Sequence, residues 1–191
     1  MAPQRLAHKA RRPPLLLWIA ILALFAAPES FGTERGVTDY EVKAAFLYSF
    51  AKYVQWPSED PGDPSFVITV LGDDPFRNAL DDALRGKQAD SRRVVLKRTR
   101  KPEEIGKSQI LFISDSEERD LPRILKQIEG SAVLTVGEMD RFAERGGAIR
   151  FRMDQKRVRF DVNLKVAEQA HLKISSELLK LARIVSAEGA D

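Results

Sequence analysis

Phe66-Val-Ile-Thr-Val-Leu71-Gly-Asp-Asp-Pro75 decides the fold. Phe66 to Leu71 is a short apolar run with no polar alternation, the pattern of a strand buried on both faces. Gly72-Asp73-Asp74 reads as a turn ending in an N-cap, with Pro75 at the first helical position, where its missing N–H costs nothing. Phe76, Leu80 and Leu84 keep helical spacing, and Gly86 suits the stop. Strand, short turn and capped helix make the first half of a βαβ unit. Ser58 to Ser65, with Pro61, Gly62 and Pro64, is the loop that leads in.

Downstream the alternation continues. Arg92 to Arg98 holds Val94-Val95-Leu96 and reads as the next strand, flanked by Arg92, Arg93, Lys97, Arg98, Arg100 and Lys101. Gln109 to Ile113 is the candidate central strand. Leu121, Ile124, Leu125 and Ile128 space as a short helix ended by Gly130, and Ala132 to Val136 is another buried strand. Met139, Phe142 and Ala143 predict one or two helical turns before Gly146-Gly147. The pattern then changes to period two. Ala148 to Met153 and Arg157 to Val162 alternate apolar with charged and are joined by Asp154-Gln155-Lys156, which predicts an antiparallel hairpin whose wet face carries Arg150, Arg152, Arg157 and Arg159. Leu164 to Ala170 and Glu177 to Ser186 are predicted helices. Strands alternating with helices predict a single α/β domain over 33–191, Rossmann-like and three-layered, with a mainly parallel sheet and an antiparallel C-terminal hairpin.

Upstream, Thr38 to Pro57 predicts one amphipathic helix. Thr38 and Glu41 have capping-box spacing. Val42, Ala45, Phe46, Ser49, Phe50 and Tyr53 form its apolar stripe, and Pro57 stops it. That stripe leaves Tyr48, Lys52 and Trp56 without a core role, which makes them candidates for a partner or ligand surface.

Residues 1–32 read as a secretory signal. Arg5, Lys9, Arg11 and Arg12 precede the uncharged run Leu15 to Ala27, which falls short of the ~20 residues a membrane span takes. Small residues then allow cleavage after Ala26, Ala27 or Gly32. Removing 1–32 takes four of the 31 basic residues and one of the 28 acidic ones, Glu29, leaving 27 of each. The mature chain is neutral, so its composition gives no reason to expect a nucleic-acid partner. The chain has no cysteine, which excludes thiol catalysis, thiolate metal sites and disulfides.

Few residues offer chemistry. After processing His171 is the lone histidine, which argues against histidine triads and multi-histidine metal sites. No glycine-rich phosphate loop or other cofactor motif is present. Asp73, Ser114 and Glu138 follow three of the predicted strands, and open α/β sheets bind ligands at strand C-terminal ends. Asn163 suits a structural bond at a helix start. By elimination the residues favour a binding or regulatory protein over an enzyme, with no catalytic residue and no metal site.

The stretch from Glu41 to Pro57 resembles the opening signature of the YfiR family of periplasmic proteins. So do Ile110 to Ser114, Leu134 to Glu138, Phe142 with Gly146 to Ile149, Arg159 to Asn163, and the tail Leu172 to Ala182. The resemblance implies a periplasmic protein that represses a membrane-bound diguanylate cyclase through its periplasmic domain, lowering cyclic di-GMP and biofilm formation. It also implies sequestration by an OmpA-like outer-membrane lipoprotein, and homodimerisation. The family's namesake carries disulfides that this chain cannot form, so redox control does not carry over. The alternative is a periplasmic small-ligand-binding protein of a sensing or transport system, using Asp73, Ser114 and Glu138.

Overall fold

The computed structural model describes residues 37–57 and 64–186. Residues 1–32, expected to be an export signal, and most of the Ser58–Ser65 loop lie outside the described residues. Helix α1 (Asp39–Tyr53) starts as its sequence dictates: the Thr38 side chain accepts from the Glu41 N–H, and the Glu41 carboxylate accepts from the Thr38 N–H at 2.6 Å. It ends four residues earlier than the sequence predicts, because Val54–Gln55 forms strand β1, paired antiparallel with β9 (Lys173–Ile174).

The main sheet has eight strands: β2 (Ser65–Leu71), β3 (Gln88–Ala89), β4 (Arg92–Thr99), β5 (Ile110–Ile113), β6 (Leu134–Gly137), β7 (Ile149–Asp154), β8 (Arg157–Asn163) and β10 (Arg183–Val185). Their order is β10-β8-β7-β6-β5-β2-β4-β3. The run from β4 to β7 is parallel, β7 and β8 form the predicted antiparallel hairpin, and β10 lies parallel to β8. This is the expected Rossmann-like α/β fold. The chain leaves β2 for β4 on one side and returns past it to β5 on the other, which places the topological switch point between β2 and β5.

Period-two alternation sorts the buried strands between two faces. Phe66, Ile68, Val70, Ile110, Phe112, Leu134, Val136, Phe151 and Phe160 meet α1 and the short helix α2 (Ala79–Leu84). Leu71, Leu111, Ile113 and Val133 meet α3 (Leu121–Gln127) and the turn around Phe142. Phe46, Phe50, Phe151 and Phe160 form the aromatic centre of the first layer, with centroids 5.2 to 6.3 Å apart. On α1 the buried residues are Lys43, Ala44, Leu47, Phe50 and Ala51. The expected stripe is thus rotated by about one position, roughly 100° of helix. Two alanines let the helix approach the sheet closely, Phe46 packs from its flank, and Tyr53 is exposed.

Three other predictions shift. Pro75 does not open α2. The Asp74 side chain accepts from the Phe76 N–H at 2.7 Å, and the helix begins only after Arg77, whose φ is +53°. Residues 139–146 form turns, not a helix. The last helix is a single turn, α5 (Ser176–Leu179), capped by Ser175, after which Arg183 to Val185 adds β10. The β-branched pair Ile184-Val185 and the open edge of β8 favour the strand. Between β8 and β9, Asn163 caps α4 (Leu164–Gln169) by accepting from Val166, and donates to the Ala143 carbonyl at 2.8 Å.

Candidate partner-binding site

Helix α1 runs from the C-terminal ends of the strands to their N-terminal ends, and the candidate residues divide between its two ends. At the first end, Asp73, Ser114 and Glu138 do follow β2, β5 and β6. The crevice between them is bridged by the chain itself. Ser116 Oγ accepts from the Asp73 N–H at 3.0 Å, and its hydroxyl lies 3.0 Å from Glu117 Oε1. Gly72 has φ +92°, and a Cβ there would come within 2.3 Å of Ser116 Oγ, so the crossing needs glycine. Asp73 is exposed and ion-paired with Arg100 at 2.7 Å, and Ser114 is buried with its N–H on the Leu71 carbonyl.

Glu138 is held by α1. Lys43, buried on the helix, donates to its carboxylate, and Tyr40 Oη donates at 3.2 Å. The Lys43 ammonium also lies 4.2 Å from the Tyr40 ring centre. That ring meets Phe76 edge-on at 5.5 Å, and Phe76 meets Phe112 at 4.8 Å. Burial and the neighbouring Glu138 carboxylate push the Tyr40 hydroxyl up to about 12, so it stays a neutral donor at physiological pH. Asp115 is pushed up as well, first by burial and then by the charges of Glu138 and Glu118. The arrangement is a lock between a helix and the strand ends. Sequence reasoning missed Tyr40 and Lys43; the signal was a lysine on the apolar side of a helix, with a glutamate after a buried strand.

At the other end of α1, Tyr48 Oη donates to the Gln88 carbonyl at 3.2 Å, and the ammonium of Lys87 lies 5.5 Å from its ring centre. Lys52 is exposed, 5.9 Å from the rings of both Tyr48 and Tyr53. Trp56 is half-buried. Its indole stands edge-on to Phe66 at 5.0 Å, and its N–H donates to the Gln109 carbonyl at 3.2 Å. Trp56 therefore clasps the exit of α1 to the starts of β2 and β5. Tyr48 is half-buried against the core with its hydroxyl at the surface, and Lys52 is exposed beside it.

A second buried carboxylate went unread in the sequence. Asp161 is 0% exposed, on the hairpin face expected to be wet. Arg183 donates to it bidentately at 2.9 and 2.7 Å, and Arg152 donates at 2.8 Å. Burial alone would raise its pKa, but the hydrogen bonds from Arg183 and Arg152 outweigh burial and hold it below the usual carboxylate value. Strand β10, which supplies Arg183, was read as helix, so its pairing with Asp161 could not be foreseen.

Among the described residues no group of three or more His, Cys, Asp or Glu side chains has metal-site geometry. The profile of the YfiR/HmsC-like family matches residues 40–183, most of the chain. The chain belongs to the YfiR/HmsC-like family. The match takes in both ends of α1, the strand-end lock and the Asp161 cluster, so all these features lie within the YfiR/HmsC-like region. No curated protein matches significantly. Among solved structures, the chain is similar to the ABC domain from Streptococcus pneumonia in complex with L-Trp, with a TM-score of 0.46 and 13% identity over 63% of this chain. The chain spans 55% of that structure's length. YfiR/HmsC-like proteins are regulators of diguanylate cyclase signalling rather than catalysts.

Proposed function

We propose that this protein is a periplasmic repressor of a membrane-bound diguanylate cyclase, acting by protein–protein contact on the cyclase's periplasmic domain and lowering cyclic di-GMP. The observation that carries the reading is the family match over residues 40–183. Two physical features support it. The strand-end crevice, where a sheet of this topology would hold a small molecule, is spanned by Ser116 and by the Lys43–Glu138 pair. The outer side of α1 carries the exposed Lys52 beside the half-buried Tyr48, and tyrosine is a residue type enriched at protein interfaces. The protein is not an enzyme on this reading; an OmpA-like lipoprotein would relieve repression, and a homodimer would be the working form.

Intracellular cyclic di-GMP, measured in a strain lacking the gene and in the same strain complemented with the exported protein, tests the reading. A rise on deletion that complementation reverses is the expected result. No change while the gene is expressed would overturn it. The small-ligand reading would then take precedence. Its site would be the groove of about 690 Å³ between α3 and α4, floored by Val133 and Thr135.

A further inference from the structure

The outer face of β7, β8 and β10 has an unusual make-up. Alternation turns Phe151, Phe160 and Val162 towards α1, so Arg150, Arg152, Arg157, Arg159 and Arg183 all project from the opposite face. The buried partners of α3 come from β2, β5 and the residues flanking β6, and among the described residues no helix covers the arginine face. Asp161 is fully buried beneath Arg152 and Arg183, and Asp140 is the partner of Arg150 at 2.7 Å. Glu144 adds a partly buried carboxylate near Arg183. Arg157, Arg159 and Arg183 reach solvent, as do Asp140 and Asp154, and the local charges nearly balance.

The cross-strand register sharpens this. Arg152 stands directly opposite Arg159. Like charges in that position destabilise a hairpin unless anions separate them. Asp161 and Asp154 serve Arg152, at 2.8 and 3.2 Å, whereas Arg159 and Arg157 make no ion pair among the described residues. The buried Asp161 clamps Arg152 and Arg183 in place, so part of the ordering that binding would require is already complete. Guanidinium forks bind carboxylates bidentately and are weakly hydrated. Among the described residues, β7, β8 and β10 place no aromatic side chain on this face to insert into lipid.

We propose that this arginine face is a docking surface for an acidic, carboxylate-bearing segment of a protein partner, with Arg159 and Arg157 as its open positions. The identity of the partner as the cyclase rests on the repressor reading above; the chemistry of the face does not.

The test uses the full chain and a short fluorescein-labelled peptide of alternating Glu and Thr, followed by fluorescence anisotropy at low and at physiological salt. A Gln–Thr peptide and phosphatidylglycerol vesicles serve as competitors. The acidic peptide should bind and the Gln–Thr peptide should not. Arg157→Glu/Arg159→Glu should weaken binding by about tenfold or more, as expected when charge-assisted hydrogen bonds are lost, and Arg93→Glu at the far edge should leave it unchanged. Arg157→Gln/Arg159→Gln, which keeps the side chains polar, should fall between and melt like the parent. Preferential capture by the vesicles, self-association that the charge reversal abolishes, or no binding of the acidic peptide would each overturn the proposal. In the complemented strain, a reversal variant that still lowers cyclic di-GMP like the parent would overturn the face as a partner site while leaving repression standing. A parent chain with no effect on cyclic di-GMP would remove the repressor reading and leave the peptide result to judge the face.

Discussion

Glu138 and Asp161 are two carboxylates drawn into the fold by cations, and they end differently. Glu138 meets a lysine on a helix and a tyrosine hydroxyl, and the result closes the strand ends. Asp161 meets two arginines from neighbouring strands, and the result leaves cations displayed above it. The difference lies in the partner. Lysine is a compact point charge that a buried acid can enclose. Arginine has five donors, and one carboxylate satisfies only some of them, so the rest face outward. The same kind of pairing thus seals one end of the molecule and leaves the hairpin face available.

The largest effect should come from breaking the sealed pair. Lys43→Ala leaves the Glu138 charge poorly solvated and should cost about 3 kcal/mol or more, read as a lowered denaturant midpoint. Lys43→Met with Glu138→Leu should recover most of that loss, which separates a desolvated charge from lost packing. Trp56→Ala should come next, at about 2 kcal/mol, because it removes the edge contact with Phe66 and the bond to the Gln109 carbonyl. A parent-like melt for that variant would mean Trp56 is free for partner contact rather than a clasp.

Asp161→Asn should cost less, about 1 to 2 kcal/mol, since Arg183 is 55% exposed and can turn to water. The comparison sharpens with pH. The folded pKa of Asp161 is depressed, so its contribution is present above the unfolded carboxylate value, about 4, and is lost as pH falls through the lower folded value. The parent should therefore lose stability below about pH 4 more steeply than Asp161→Asn, by thermal melts across that range. The smallest effect should have the opposite sign. The pKa of Asp115 is raised in the folded state, so its ionised form opposes folding at neutral pH. Asp115→Asn should raise the melting temperature slightly at pH 7 and leave it unchanged in acid.

Much of this architecture was legible in the sequence. Thr38 and Glu41 announced the helix start, the apolar runs announced buried parallel strands, and period-two alternation announced the hairpin. These signals are local and each has one cause. The register of α1 was not legible, because a stripe chosen by bulky side chains passes over Ala44 and Ala51, whose small size brings helix and sheet together. Lys43 and Asp161 were not legible either: each looks like a surface residue until a partner distant in sequence covers it. Asp73, Ser114 and Glu138 were correctly placed at strand ends, but nothing local revealed that Ser116 and Lys43 reach across them.

The hairpin tip has a consequence for motion. Gln155 and Lys156 both hold positive φ, +47° and +60°, without the glycine or asparagine that such a turn prefers. Each left-handed residue costs roughly 1 kcal/mol. The ladder is therefore weakest at its tip and firmest where Ile149 and Val162 pair inside the core. Amide exchange should spread from the turn inward, so that Arg157 and Arg159 sit on the first part of the ladder to breathe and Asp161 on the last. A partner seated on that face would then be felt as slowed exchange at the tip, with little change at its base.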